Sequence, residues 1–391
     1  MTTGREPPTS PGNGEPAREA PAPRARTSPP PGPAVALSLP GGGFTGALYQ
    51  IGALAALADG IRGVSGQSFM VYLGSGTGAT VAASLAGGTE VDRIYKALLD
   101  PADPFFPLER SHILQIDLAE WKRTIDTGWV AIRHALARLS SRQSTASAAP
   151  SHLTLLEQMD RLNDSLPAGI FRLDRYERFL AEFFLRRAIP NTFRAMPRPL
   201  LVAASDLDSG ARVLFGESGF EDVPVSLACA ASLAIPLFFS PVRIGDRHYL
   251  EGGLGHVAHL DVAEEKGADL AIVVNPLVPV SISKGVVPTG HGVGESMRDK
   301  GLLWTHNQAM RIGAHARLHQ DVARYSAAEG MRVLVLEPRP TDALLFLHNP
   351  AASIPARRAI LEYAYRTTRE RIGEWAAENQ EVLDRLGWRV A

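Results

Sequence analysis

Apolar positions along the chain fall into short continuous runs separated by glycine-rich turns, with stretches of helical spacing between them. Ala34-Val-Ala-Leu-Ser-Leu39 is a run of the kind that forms a strand covered on both faces. Pro40 and Gly41 to Gly43 end it, and the small apolar residues Gly46 to Ala58 predict a helix. The pattern then repeats. Ser68 to Leu73 predicts a second strand, Gly74 to Gly78 a tight turn, and Ala79 to Leu85 a helix ending near Gly87-Gly88. Strand, glycine turn and helix in succession predict an α/β fold with a mostly parallel sheet. Further strands are expected at Pro199–Ala204, Ala211–Phe215, Leu270–Val274 and Arg332–Leu336, and helix from Ala356 to about Leu386.

Other stretches predict their own character. Residues 90–190 are mainly helical in spacing, interrupted by a polar surface loop over Ser140–Ser151. Pro276 to Gly301, rich in Gly, Pro, Ser and Val, is too long for an ordinary connection and predicts a functional or poorly ordered loop. Residues 1–33 are Pro-rich and predict a disordered tail, leaving 34–391 as one domain with a helical C-terminal extension from about 300. Val225–Val242 is almost wholly apolar, but Pro236 and Pro241 break it and the charged, strand-like Arg243–His248 follows, so a buried helix ending at Pro236 is expected.

Composition adds little direction. Forty Lys and Arg against 41 Asp and Glu give a formal charge of -1, which favours neither nucleic acid nor an anionic surface as partner. A single cysteine, Cys229, forbids an internal disulfide and fits a reducing, cytoplasmic setting; its apolar neighbours predict a buried, inert thiol.

Three segments carry candidate chemistry. Gly41-Gly42-Gly43, between a strand and a helix, leaves backbone N–H groups uncovered, as a phosphate cradle or an oxyanion hole requires. The following strand lacks the terminal acidic residue of a dinucleotide site, so no cofactor is expected. Gly74-Ser75-Gly76-Thr77-Gly78 sits where a hydrolase places its nucleophile elbow, Gly-x-Ser-x-Gly. In that frame the central residue is Gly76, flanked by Ser75 and Thr77. Glu251, before Gly252-Gly253, suits either a general base or a turn acceptor. His256 and His259, three apart, share a face only within a helix. His315 and His319, four apart on an expected helix, show no third ligand nearby in sequence. Both pairs are read as ordinary packing or solvation, and no metal is expected.

The order and spacing of these segments resemble the patatin-like phospholipase family over nearly the whole chain after the tail. Gly41–Gly46 is similar to its oxyanion motif, Gly74–Ala79 falls on its serine motif, and Glu251-Gly-Gly253 falls on its Asp-Gly-Gly/Ala motif. Phe171–Leu180, Ala203–Gly210 and Ser232–Pro236 are similar to its central elements. The resemblance implies a three-layer fold and ester cleavage by a Ser–Asp dyad without histidine or cofactor. Both halves of that dyad depart: Gly76 stands at the serine position and Glu251, one methylene longer, at the aspartate position. A misplacement of about 1 Å already costs roughly a hundredfold in rate. The resemblance, with these departures, implies three readings. The first is a former enzyme retaining a lipid or acyl-ester cleft, with peripheral membrane contact compatible. The second is an active acyl hydrolase using Ser75 or Thr77 with Glu251, and the third a scaffold without a ligand.

Overall fold

The structure, a computed structural model, describes residues 34–100, 102–105, 112, 115–116, 121–122, 124, 164, 166–282, 287–327, 330–342 and 354–391. The expected tail over 1–33 and loop over 140–151 lie outside them.

An eight-stranded sheet organises these residues. Its strands are β1 (Val35–Leu39), β2 (Val71–Gly74), β3 (Leu200–Asp206), β4 (Arg212–Phe215), β5 (Val242–Ile244), β6 (Arg247–Glu251), β7 (Leu270–Val274) and β8 (Arg332–Leu336). The order is β8-β7-β1-β2-β3-β6-β5, with β4 paired to β3. From β8 to β3 every pairing is parallel. β4 to β6 are joined antiparallel, and β6 meets the second half of β3 with Glu251 opposite Ala204.

Side chains alternate between two apolar layers, as the two-residue period of a strand requires. Val35, Leu37 and Leu39 of β1 share a core with helices α1 (Gly43–Gly60), α2 (Thr77–Ala86), α3 (Val91–Leu99), α4 (Asp174–Arg186) and α5 (Val225–Ser232). Ala36 of β1, Val71 and Leu73 of β2 and Val273 of β7 face the other way, toward α6 (Leu260–Glu265) and α7 (Leu302–Ala327). The helices α8 (Ile354–Glu378) and α9 (Gln380–Leu386) complete the first layer. Helices therefore cover both faces of a largely parallel sheet, the three-layer α/β arrangement that the alternating pattern predicts.

The packing of α1 explains its unusual richness in small residues. A Cβ at Gly52 would lie 2.5 Å from the Leu361 carbonyl oxygen and 2.8 Å from Ala364 Cβ, so α1 and α8 touch backbone to backbone there. Gly52→Ala is expected to destabilise the protein by about 1–3 kcal/mol through overpacking, read as a lower chemical-denaturation midpoint at unchanged slope. The chain terminus also docks on α1. Trp388 is buried, Arg389–Val390 pairs antiparallel with Ile61–Arg62, and the Ala391 N–H donates to Gly60.

Several boundaries differ from the sequence expectation. The apolar run from Val225 is helical only to Ser232, four residues before Pro236, because the chain must turn there to reach Leu237–Phe239. No described helix is long and apolar enough to cross a membrane. Arg243–His248 is not one strand but a hairpin, Val242–Ile244 with Arg247–Glu251, turned at Gly245 with φ +62°. The described part of 276–301 carries its own structure: Val287–Thr289 pairs with Gly292–Gly294, and a short 3-10 turn spans Met297–Lys300. Ser296 and Asp299 cap that turn reciprocally, a capping box that the loop expectation missed.

Candidate functional site

The parallel strands place the C-terminal ends of β1 and β2 side by side, with Leu39 opposite Gly74. Ligand sites of parallel sheets form at this edge. Each strand passes directly into a helix, and the two connections touch. Gly76 has φ +56° and ψ −133°, a sharp, left-handed turn that L-residues rarely adopt and that suits a nucleophile elbow. A Cβ built at Gly76 would stand 2.8 Å from Gly41 Cα and 3.4 Å from Glu251 Oε1. Gly41, Gly76 and Glu251, predicted from sequence, thus meet at one point.

The turn is held from below and from the side. The Gly76 N–H donates to Ser232 Oγ at 2.9 Å, and Ser232 Oγ donates to the Ala203 carbonyl at 2.6 Å. Thr77 Oγ1 donates to the Gly43 carbonyl at 2.9 Å, tying the two glycine turns together. Ser75 is buried, its hydroxyl has no hydrogen-bond partner, and it lies beside Gly253, whose added Cβ would be 3.8 Å away. Neither neighbouring hydroxyl bonds Glu251.

Gly42 and Gly43 have φ +146° and +68°, so the loop entering α1 is open only to glycine. The first helical turn bond there is made by the Gly46 N–H, and in α2 by the Ala79 N–H. Earlier N–H groups of both helices precede any intrahelical bond, and neither first turn carries an acidic residue. Two positive helix ends without an acidic residue in their own first turns therefore border the same point, an arrangement suited to an anionic oxygen.

Glu251 sits at the end of β6, 8% exposed, and among the described residues none donates a hydrogen bond to its carboxylate. Burial pushes its carboxyl up to about 7. Its Oε1 would stand only 2.9 Å from a Cβ at Gly41. The long side chain reaches into the space between the glycine loops.

The other expected residues separate. His256 is exposed, whereas His259 is buried in the left-handed conformation at the start of α6, with both ring nitrogens unpartnered. The segment between them is not helical, so they share no face. Burial, reinforced by Arg212, lowers the His259 imidazole to about 3 and keeps it neutral. Arg212 holds Asp261 bidentately at 2.9 and 2.6 Å, anchoring that helix to β4. Cys229 is fully buried and its thiol is pushed up to about 12 by burial, which leaves it unreactive. Asp206 accepts from Arg247 at 2.5 Å and from the Asp208 and Ser209 N–H groups, which hold its carboxyl low. It closes the β3–β4 turn.

Two contributors escaped the sequence reading. Ser232 was visible only as part of a longer motif, with no cue that it supports Gly76. Pro276 packs its ring against the glycine loop: Cβ atoms at Gly42 and Gly46 would meet its Cγ at 2.5 and 2.9 Å. Asn275-Pro276 at the end of a buried strand was the available signal.

A family model for patatin-like phospholipases matches residues 37–263, more than half of the chain. The chain belongs to the patatin-like phospholipase family. The patatin match spans both glycine turns and Glu251. No curated protein matches the chain. Among solved structures, VipD from Legionella pneumophila is similar at 14% identity and a TM-score of 0.36, covering 93% of this chain and 68% of its own. ExoU of Pseudomonas aeruginosa, solved with SpcU, is similar at 16% identity and a TM-score of 0.33, over 89% of this chain. This patatin-like chain spans about half the length of ExoU, 53%.

Proposed function

We propose that this patatin-fold protein has lost or strongly weakened ester hydrolysis and retains a lipid or acyl-ester site at the glycine turns. One observation carries the reading: the elbow residue that faces Glu251 Oε1, 3.4 Å from an added Cβ, is Gly76, which has no side chain. Without a hydroxyl there, no acyl-enzyme forms. The N–H groups that precede the first intrahelical bond of α1, at Gly43 and the two residues after it, are suited to receive a carbonyl oxygen beside Gly41 and Gly42, and neither a cofactor nor a nucleic acid is involved. Peripheral membrane contact and a cytoplasmic location fit such a ligand and the lone buried Cys229.

An active enzyme using a neighbouring hydroxyl receives no support from the geometry. Thr77 Oγ1 is committed to Gly43, and Ser75 Oγ lies beside Gly253 without bonding Glu251.

Turnover of short and long acyl esters by the wild type, Ser75→Ala and Glu251→Ala tests the proposal. All three are expected at the uncatalysed rate, while a fluorescent long-chain ester analogue binds the wild type saturably. Wild-type turnover that vanishes in Ser75→Ala overturns the loss of hydrolysis. Absence of saturable binding overturns the retained site.

A further inference from the structure

Away from the elbow, α7 presents His315 and His319 one turn apart to Glu337, the residue immediately after β8. His319 Nε2 lies 3.0 Å from Glu337 Oε1, and His315 Nε2 lies 3.6 Å from the same oxygen. The imidazole rings stand 4.3 Å apart between centroids. One ligand atom from each of the three residues falls within 4.8 Å of the others. Sequence spacing supplied the histidine pair, but the third donor comes from 18 residues further on.

We propose that His315, His319 and Glu337 form a binding site for a divalent transition metal of the zinc type. Two imidazoles and one carboxylate are a borderline donor set, matched to Zn²⁺ rather than to Ca²⁺ or Mg²⁺, which take oxygen ligands. Tetrahedral zinc with bonds of about 2.0–2.2 Å separates its ligand atoms by roughly 3.3 Å, and the two nitrogen–oxygen separations, 3.0 and 3.6 Å, bracket that value. Glu337 Oε2 accepts from Asn275 Nδ2 at 3.1 Å, the outer hydrogen bond that orients a ligating carboxylate. Asn275 is itself fully buried, and its Oδ1 accepts from the Leu277 N–H at 3.0 Å. The His315, His319 and Glu337 side chains are 28%, 45% and 19% exposed, so an ion enters from solvent and a water completes its shell.

The site's position gives the ion a structural consequence. It would fasten α7 to the end of β8, beside Asn275, whose N–H donates to Leu336 at 2.8 Å. Arg311, one turn before His315 and 5% exposed, already donates to the Pro276 and Val278 carbonyls at 3.0 and 3.1 Å. Pro276 seats the glycine loop at Gly42. A bound ion therefore stiffens a path from α7 through Asn275-Pro276 to that loop.

The test titrates the full-length, chelator-treated protein with Zn²⁺ against a chromophoric chelator, and separately with Co²⁺. One zinc per chain is expected, with tetrahedral Co²⁺ absorption in the visible range and a higher melting temperature. His315→Ala/His319→Ala is expected to lose about a hundredfold in affinity, and Glu337→Gln at least about tenfold. Mg²⁺ and Ca²⁺ should leave the melting curve unchanged. Wild type without stoichiometric zinc, or a double variant binding as tightly as wild type, overturns the proposal. Should the double variant fail to fold, His319→Asn and the wild-type Co²⁺ spectrum decide: unchanged zinc affinity, or a spectrum without tetrahedral bands, is equally fatal.

Discussion

Ester hydrolysis is expected to appear in the double variant Gly76→Ser/Glu251→Asp, at least about a hundredfold above wild type in kcat/KM, the scale that a positioned general base contributes. Gly76→Ser alone is expected to recover much less. A serine Cβ at position 76 stands 2.8 Å from Gly41 Cα, closer than packed atoms tolerate, so the glycine loop must yield. Glu251 keeps it from yielding, because its Oε1 already occupies the space 2.9 Å from a Cβ at Gly41. Shortening Glu251 by one methylene withdraws the carboxylate and frees that space. The serine also accepts the left-handed turn, φ +56°, at a cost of about 1–3 kcal/mol. Rates on a short acyl ester for both singles and the double separate these effects. A double variant no faster than Gly76→Ser contradicts the role given to Glu251.

The second large effect concerns Glu251 and pH. Its carboxyl is raised to about 7 in the folded protein, by burial, above the ordinary 4.5. Between those values the folded state holds a proton that the unfolded chain has released, so stability falls as pH rises from 4.5 to about 7. Above that window the penalty is constant, at about 3 kcal/mol by linkage. Glu251→Gln removes the charge and is expected to stabilise the protein at pH 8 by up to that amount, and little at pH 4. His259 acts in the opposite sense: lowered to about 3, it stays neutral while the unfolded chain protonates, so stability falls as pH drops below 6.5. Thermal melts of wild type and Glu251→Gln across pH 4–9 give the difference. A pH-independent difference contradicts the buried, unpaired carboxylate.

Much of the fold was legible because parallel strands announce themselves. Val35–Leu39 and Leu270–Val274 are buried at every position, and their sequences are correspondingly apolar except at Ser38, whose hydroxyl donates to the Ala258 carbonyl at 2.7 Å. The elbow was legible because the spacing of Gly74, Gly76 and Gly78 survives without the serine. Local chemistry, by contrast, misled at Arg243–His248, where one run of charged residues conceals a hairpin turned at Gly245. Supporting contacts were not legible at all. Ser232 lies 156 residues from Gly76, and Glu337 lies 18 residues from His319; no local pattern encodes either pairing. Gly52 lies inside the expected helix Gly46–Ala58, and only the approach of α8 explains why nothing larger fits there.

The loss of the nucleophile is tested most directly by covalent labelling. The wild type is incubated with a long-chain alkyl fluorophosphonate, which phosphonylates activated serine hydroxyls, and its intact mass is measured. No adduct is expected on the wild type, and one adduct is expected at position 76 in Gly76→Ser/Glu251→Asp. A stoichiometric adduct on the wild type, mapped to Ser75 or Thr77, would contradict the loss of the nucleophile.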